Sequence, residues 1–117
     1  MVKISEHFTR HEFSCRCGCG ADTVDVALIG LLEQVRNHFD KPVVVTSGYR
    51  CMEHNERVGG GHRSQHLYGR AADIIVAGVE PDDVADYVEN INPDGGVGRY
   101  STFTHVDSRS GCARWGC

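Results

Sequence analysis

A chain of 117 residues and 12.9 kDa has the size of one compact domain, residues 1–117, with no room for a second. Hydrophobic residues make up 40% and charged residues 24%, an ordinary globular balance that excludes a disordered or collagenous chain. The 12 basic and 16 acidic residues give a formal charge of −4, scattered rather than blocked, which argues against nucleic acid and anionic membrane as partners.

In chain order, Thr9-Arg-His-Glu12 has the form of a capping box and predicts a short helical turn. Leu28, Leu31, Leu32, Val35 and Phe39 recur at helical spacing and predict a helix over about 24–39, with Asp22 or Thr23 as its cap. The β-branched run after Pro42 predicts a buried strand over 42–46, ended by Gly48. Residues 49–68 are too polar and glycine-rich for core and read as a surface loop of the kind that carries function. A second strand is expected over 71–76. Pro81 suits a helix start, and Val84, Tyr87, Val88 and Ile91 predict a helix over 81–91, broken by residues 93–96. Residues 97–100 and 103–108 read as a hairpin, followed by a tail containing Trp115. No stretch approaches the roughly 20 apolar residues that span a bilayer, and the N-terminus has no apolar core of a secretory signal.

Six cysteines invite two readings: structural thiols or disulfides, and a cysteine-bound zinc. On an extended segment, Cys15 and Cys19 would share one face while Cys17 looks the other way. Cys51, Cys112 and Cys117 stand apart in sequence. The two-residue gaps of a zinc knuckle are absent.

The chemistry concentrates in His62 and His66 in the glycine-rich loop, Asp73 at the entry of a strand, and His105 in the last predicted strand. Two imidazoles and one carboxylate with an open fourth position form a ligand set of catalytic zinc. From spacing alone, surface histidines and a capping aspartate are the competing reading.

The segment Ser64-Gln-His66-Leu-Tyr-Gly69-Arg-Ala71-Ala-Asp73 resembles the Ser-x-His-x-x-Gly-x-Ala-x-Asp motif of the zinc D-Ala-D-Ala carboxypeptidase family, which includes phage endolysin peptidases. Ser47-Gly48-Tyr49-Arg50, Asn55, Val58-Gly59-Gly60, Gly96-Val-Gly98 with Tyr100, and Phe103-Thr-His105-Val-Asp107-Ser-Arg109 resemble that family in order and spacing. The resemblance implies an α+β fold: a small, mainly antiparallel sheet, two principal helices packed on one side, and a hedgehog-like or D-Ala-D-Ala peptidase-like zinc cleft on the other. It implies His66, Asp73 and His105 as ligands of one catalytic zinc, with a second zinc on the cysteines as an open option. Arg50 matches the family's arginine that binds a substrate carboxylate or polarises the scissile carbonyl, a task suited to its planar fork. A surface salt bridge is the plainer role for Arg50. Ser64 is a substrate contact or a turn-stabilising hydroxyl.

The implied function is hydrolysis of a peptide bond in a peptidoglycan stem peptide by a monomer, as a D,D-carboxypeptidase or an endolysin-type endopeptidase. Without a signal, the chain would reach the wall after cytoplasmic synthesis by lysis or a separate export route, or be phage-encoded. Where family members place a proton acceptor, this chain has Thr102 and Phe103, neither of which can take a proton. Asp107, two residues beyond His105 and on the same strand face, is the nearest candidate base or His105-orienting carboxylate, with His62 as the next. The missing base keeps a second class open: a non-catalytic, zinc-containing cell-wall binding module, since the same metal scaffold in the hedgehog signalling domain, which the chain resembles only at the site, need not act as a peptidase.

Overall fold

The computed structural model describes residues 2–116; Cys117 lies outside them. The first helix, α1 (Val26–Phe39), buries Leu28, Leu32 and Val35, the apolar stripe visible in the sequence. Its N-cap is Asp25 rather than Asp22 or Thr23, and the Asp25 side chain makes no cap hydrogen bond. Its carboxylate instead accepts from the Ser108 hydroxyl at 2.6 Å, tying the start of the helix to the far end of the chain. The helix stops at Asp40, in the left-handed region at φ 52°, a conformation Asp tolerates better than most side chains.

Strand β1 (Val43–Ser47) follows, then the short helix α2 (Met52–Arg57), a 3-10 turn (Gln65–Tyr68) and β2 (Ala71–Val76). Helix α2 stands where the sequence suggested only loop. Helix α3 (Pro81–Ile91) has Pro81 in its first turn, where a missing N–H costs nothing, and buries Val84, Ala85 and Val88. Strands β3 (Gly96–Arg99) and β4 (Thr104–Asp107) form the expected hairpin. The tail adds β5 (Ala113–Trp115), which pairs parallel to β3.

The five strands lie in the order β1-β2-β4-β3-β5. Three of the four pairings are antiparallel, so the sheet is mixed but mainly antiparallel. Val43, Val45, Ala72, Ile74, Val76, Val97 and Val106 point to the face covered by α1 and α3, where they join Leu28, Leu32, Val35, Val84 and Val88 in one core. The period-2 alternation of strands sends Asp73, His105 and Asp107 to the opposite face. The expected α+β domain, with helices on one side and a polar cleft on the other, is the fold observed.

Candidate metal centre

Three elements bring His66, Asp73 and His105 together. Asp73 and His105 are direct cross-strand partners in the β2–β4 ladder, so the sheet itself sets one imidazole beside one carboxylate. His66 arrives on the 3-10 turn, whose N-cap Ser64 accepts from the His66 backbone N–H at 3.3 Å. The turn is closed by Gly69 at φ 70°. A Cβ there would also press against the Thr23 carbonyl oxygen, at 2.6 Å, so both conformation and space call for glycine.

Hydrogen bonds fix which ring nitrogen is free. His66 Nδ1 lies 2.7 Å from the Gly48 carbonyl oxygen, which can only accept, so Nδ1 carries the proton and the neutral ring keeps a lone pair on Nε2. That atom is buried without a hydrogen-bond partner, 3.3 Å from Asp73 Oδ1. His105 Nε2 faces Asp107 Oδ2 at 2.7 Å, and its Nδ1 faces Asp73 Oδ1 at 3.1 Å. With Nε2–H donated to Asp107, two nitrogen lone pairs converge on one carboxylate oxygen. Such an arrangement is repulsive until a cation is shared among the three. All three residues are buried, and their donor atoms lie within 4.8 Å of one another. The donor set of two imidazoles and one carboxylate fits zinc.

Without a metal ion, a proton on His105 relieves the same crowding. Burial works to raise the Asp73 carboxyl, but hydrogen bonds and charge from His105 and His66 outweigh it and hold it well below the usual carboxylate range. Burial likewise opposes ionisation of Asp107, and His105 and Arg109 overcome it. Burial pushes the His105 imidazole down, yet the two carboxylates flanking it carry it above its ordinary value.

The three residues stand at the floor of a cleft of about 400 Å³. Arg50 lines it, with Nη2 3.4 Å from Asp73 Oδ2, Nη1 3.3 Å from Asn55 Oδ1 and Nε 3.3 Å from Ser47 Oγ. These long bonds position the guanidinium and leave it facing the cleft. Ser64 lines the cleft too. Asp107 does not: it is wholly buried behind His105, and Arg109 grips it with Nε at 2.8 Å and Nη2 at 2.7 Å. His62 is exposed in a turn beside the 3-10 segment and is not among the cleft-lining side chains.

Arg109 and Trp115 are site residues to which the sequence pointed only weakly. The Arg109 guanidinium lies 5.4 Å from the Trp115 ring centroid, and Trp115 packs 4.8 Å from the His105 ring. Trp115 also donates its indole N–H to Tyr100 Oη at 2.9 Å, and Tyr100 stacks on Phe103 at 4.3 Å. This aromatic wall depends on β5, an element too short to announce itself. Tyr68, by contrast, points away and lies under Arg70.

The cysteine segment departs from the extended picture. Gly18 and Gly20 take φ of 85° and 87°, curling the chain so that Cys17 faces Cys15 and Cys51 instead of the opposite side. Cys112 stays apart and exposed.

A family model described as Peptidase M15 matches residues 6–107, which contain the whole His-Asp-His cluster. The chain belongs to the Peptidase M15 family. A further match is the zinc D-Ala-D-Ala carboxypeptidase of Streptomyces albus G, 49% identical over 35 residues. That stretch covers 30% of this M15 chain and 14% of the carboxypeptidase, so the two are similar in a short segment and differ greatly in extent. No helix among the described residues of the M15 domain is long and apolar enough to cross a membrane.

Proposed function

We propose that this M15 domain is a zinc metallopeptidase that hydrolyses a peptide bond in the stem peptide of bacterial peptidoglycan, with one zinc held by His66, Asp73 and His105. The observation that carries the reading is the buried, unpartnered His66 Nε2 aimed at Asp73 Oδ1 on the floor of an open cleft. The family match and the zinc carboxypeptidase relative support the same chemistry.

Zinc in such a site supplies Lewis-acid activation of a carbonyl and of water. The protein's own groups do the rest. Gly48 and Asp107 hold the two imidazoles in the tautomers that present His66 Nε2 and His105 Nδ1 inward. Arg50 offers its planar fork to a substrate carboxylate or to the oxyanion developing at the scissile carbonyl. Ser64 caps the His66 turn and presents its hydroxyl to the same cleft. Asp107, with its oxygens engaged by His105, Arg109 and the Gly96 N–H, acts as the orienting carboxylate of His105 rather than as the base.

One observation favours a second reading, a zinc-containing module that binds the cell wall without cutting it. Among the described residues lining the cleft, Asp73 is the only carboxylate, and Thr102 and Phe103 offer no proton acceptor. Hydrolysis of purified peptidoglycan by the intact protein, followed with and without chelator and compared with His66→Ala, decides between the two. Peptidase activity predicts new amino termini or free D-alanine that vanish with chelator and in the variant. Zinc-dependent retention on the walls with no release of fragments would favour the binding module.

A further inference from the structure

Outside the cleft, the described residues contain one other group of side chains suited to a metal ion. Cys15, Cys17, Cys19 and Cys51 each bring a sulfur within 4.8 Å of the others. The Sγ separations are 3.4 Å for Cys15–Cys17, 3.8 Å for Cys15–Cys51 and 3.7 Å for Cys17–Cys51. In a tetrahedral Zn–S4 centre with Zn–S near 2.3 Å, the sulfur-to-sulfur edge is about 3.8 Å. Three sulfurs thus already lie on the face of such a tetrahedron, and the fourth is within reach. A disulfide would single out one pair; here three contacts are nearly equal.

The backbone is shaped for the same purpose. The Cys15 N–H donates to the Ala21 carbonyl at 2.7 Å and the Gly18 N–H to the Cys15 carbonyl at 3.2 Å, closing a loop around Cys17 and Cys19. The Cys51 N–H points at Cys15 Sγ at 3.4 Å, and the His54 N–H at Cys51 Sγ at 3.5 Å. Amide donors of this kind stabilise the negative charge of ligating sulfur and fix ligand orientation.

We infer that Cys15, Cys17, Cys19 and Cys51 bind a second zinc ion, structural in role, that fastens the N-terminal segment to the loop carrying Arg50. Binding forms four Zn–S bonds and releases the thiol protons to solvent. Four protein sulfurs close the coordination shell, so this ion has no open position for substrate. Its mechanical effect follows from its neighbours. Cys51 succeeds Arg50 and is the N-cap of α2, and the Tyr49 N–H donates to the Phe13 carbonyl at 2.9 Å. Arg16 reaches the Val45 carbonyl at 2.7 Å. No strand pairing joins residues 13–19 to β1, so the metal cross-link supplements these few bonds.

The inference stands whether or not the cleft is a peptidase. The test uses the full chain purified with reductant and zinc and dialysed, with metal and free thiol measured per chain. Wild type is expected to hold two zinc ions and H66A/H105A one. Strong chelator should expose four further reactive thiols per chain in either protein. Replacing zinc by Co2+ in H66A/H105A should give intense thiolate-to-cobalt absorption in the near ultraviolet, lost in C17S/C51S. Should a variant fail to fold, the chelator-dependent release of four thiols in wild type still decides. Thiols that react equally without chelator, or a native mass showing the four cysteines paired as disulfides, would overturn the inference.

Discussion

Asp107 Oδ2 lies 2.7 Å from His105 Nε2, on the side of the ring opposite Asp73. The two residues are two apart on one strand, the spacing that keeps side chains on a common face. The carboxylate therefore fixes the ring of His105, proposed above as a zinc ligand, while Arg109 and the Gly96 N–H fix the carboxylate.

Asp107→Asn should accordingly act on metal before it acts on chemistry. Asn keeps the shape but holds the imidazole proton less strongly, and loss of such an outer partner typically weakens metal affinity by about 10- to 100-fold. Zinc titration against a competing chelator should show that loss, with activity restored at high zinc. A drop in turnover of about 100-fold or more at saturating zinc would instead assign Asp107 as a base.

Arg50→Lys should keep zinc and fold while losing roughly 30-fold in kcat/KM on a peptidoglycan peptide, equivalent to about 2 kcal/mol of charge-assisted hydrogen bonding. Lysine retains the charge without the fork. Unchanged kinetics with unchanged metal content would remove Arg50 from the substrate contacts.

Gly96→Ala tests the packing beneath His105. A Cβ at this position would collide with the Asp107 carboxylate, which has no room to retreat because it is wholly buried. Overpacking of this kind costs about 1–3 kcal/mol. Thermal unfolding should record the loss, and zinc affinity should fall in parallel because the displaced carboxylate no longer holds the ring.

Acid stability should depend on Glu33. Burial opposes its ionisation, but its contacts with His7 prevail and hold its pKa below the ordinary value; they are 2.8 Å from the backbone N–H and 2.6 Å from ring Nδ1. A depressed carboxylate contributes stability above its unfolded pKa, near 4.3, and the contribution is lost as pH falls through the lower folded value. Glu33→Gln should thus be less stable than wild type at neutral pH by about 2 kcal/mol, the scale of a hydrogen bond to a charged group. The gap should close on acidification below about pH 4. A gap that stays constant from pH 7 to pH 3 would assign the effect to packing.

What the sequence revealed follows from which interactions are local. Helix α3 was legible to the residue because Pro81 marks its start and its apolar residues repeat every three or four positions. Helix α2 was not: it has six residues, its only buried one is Asn55, and no apolar stripe announces it. It is held by the Cys51 cap and by the Asn55 amide, which donates to the Gly61 carbonyl at 3.0 Å. Strand β5 escaped because its three residues are defined by a parallel partner, β3, that lies outside any local window. The cap of α1 was misplaced because Asp25 bonds to Ser108, 83 residues away. His66, Asp73 and His105 could be proposed from a linear motif, and the sheet brings them together. The place of Asp107 beside His105 was legible from strand alternation and is observed, whereas those of Arg109 and Trp115 depend on the hairpin and on β5, which no motif encodes.

The pairing of Asp73 with His105 across β2 and β4 also gives the protein a check on its own assembly. Slipping β4 by one residue against β2 would turn the His105 imidazole toward the core and set Thr104 or Val106 beside Asp73 in the cleft. An ion that binds only the correct alignment draws the population toward it by mass action. Zinc uptake at His66, Asp73 and His105 during refolding, with the four cysteines replaced, would then report sheet register before any substrate is added.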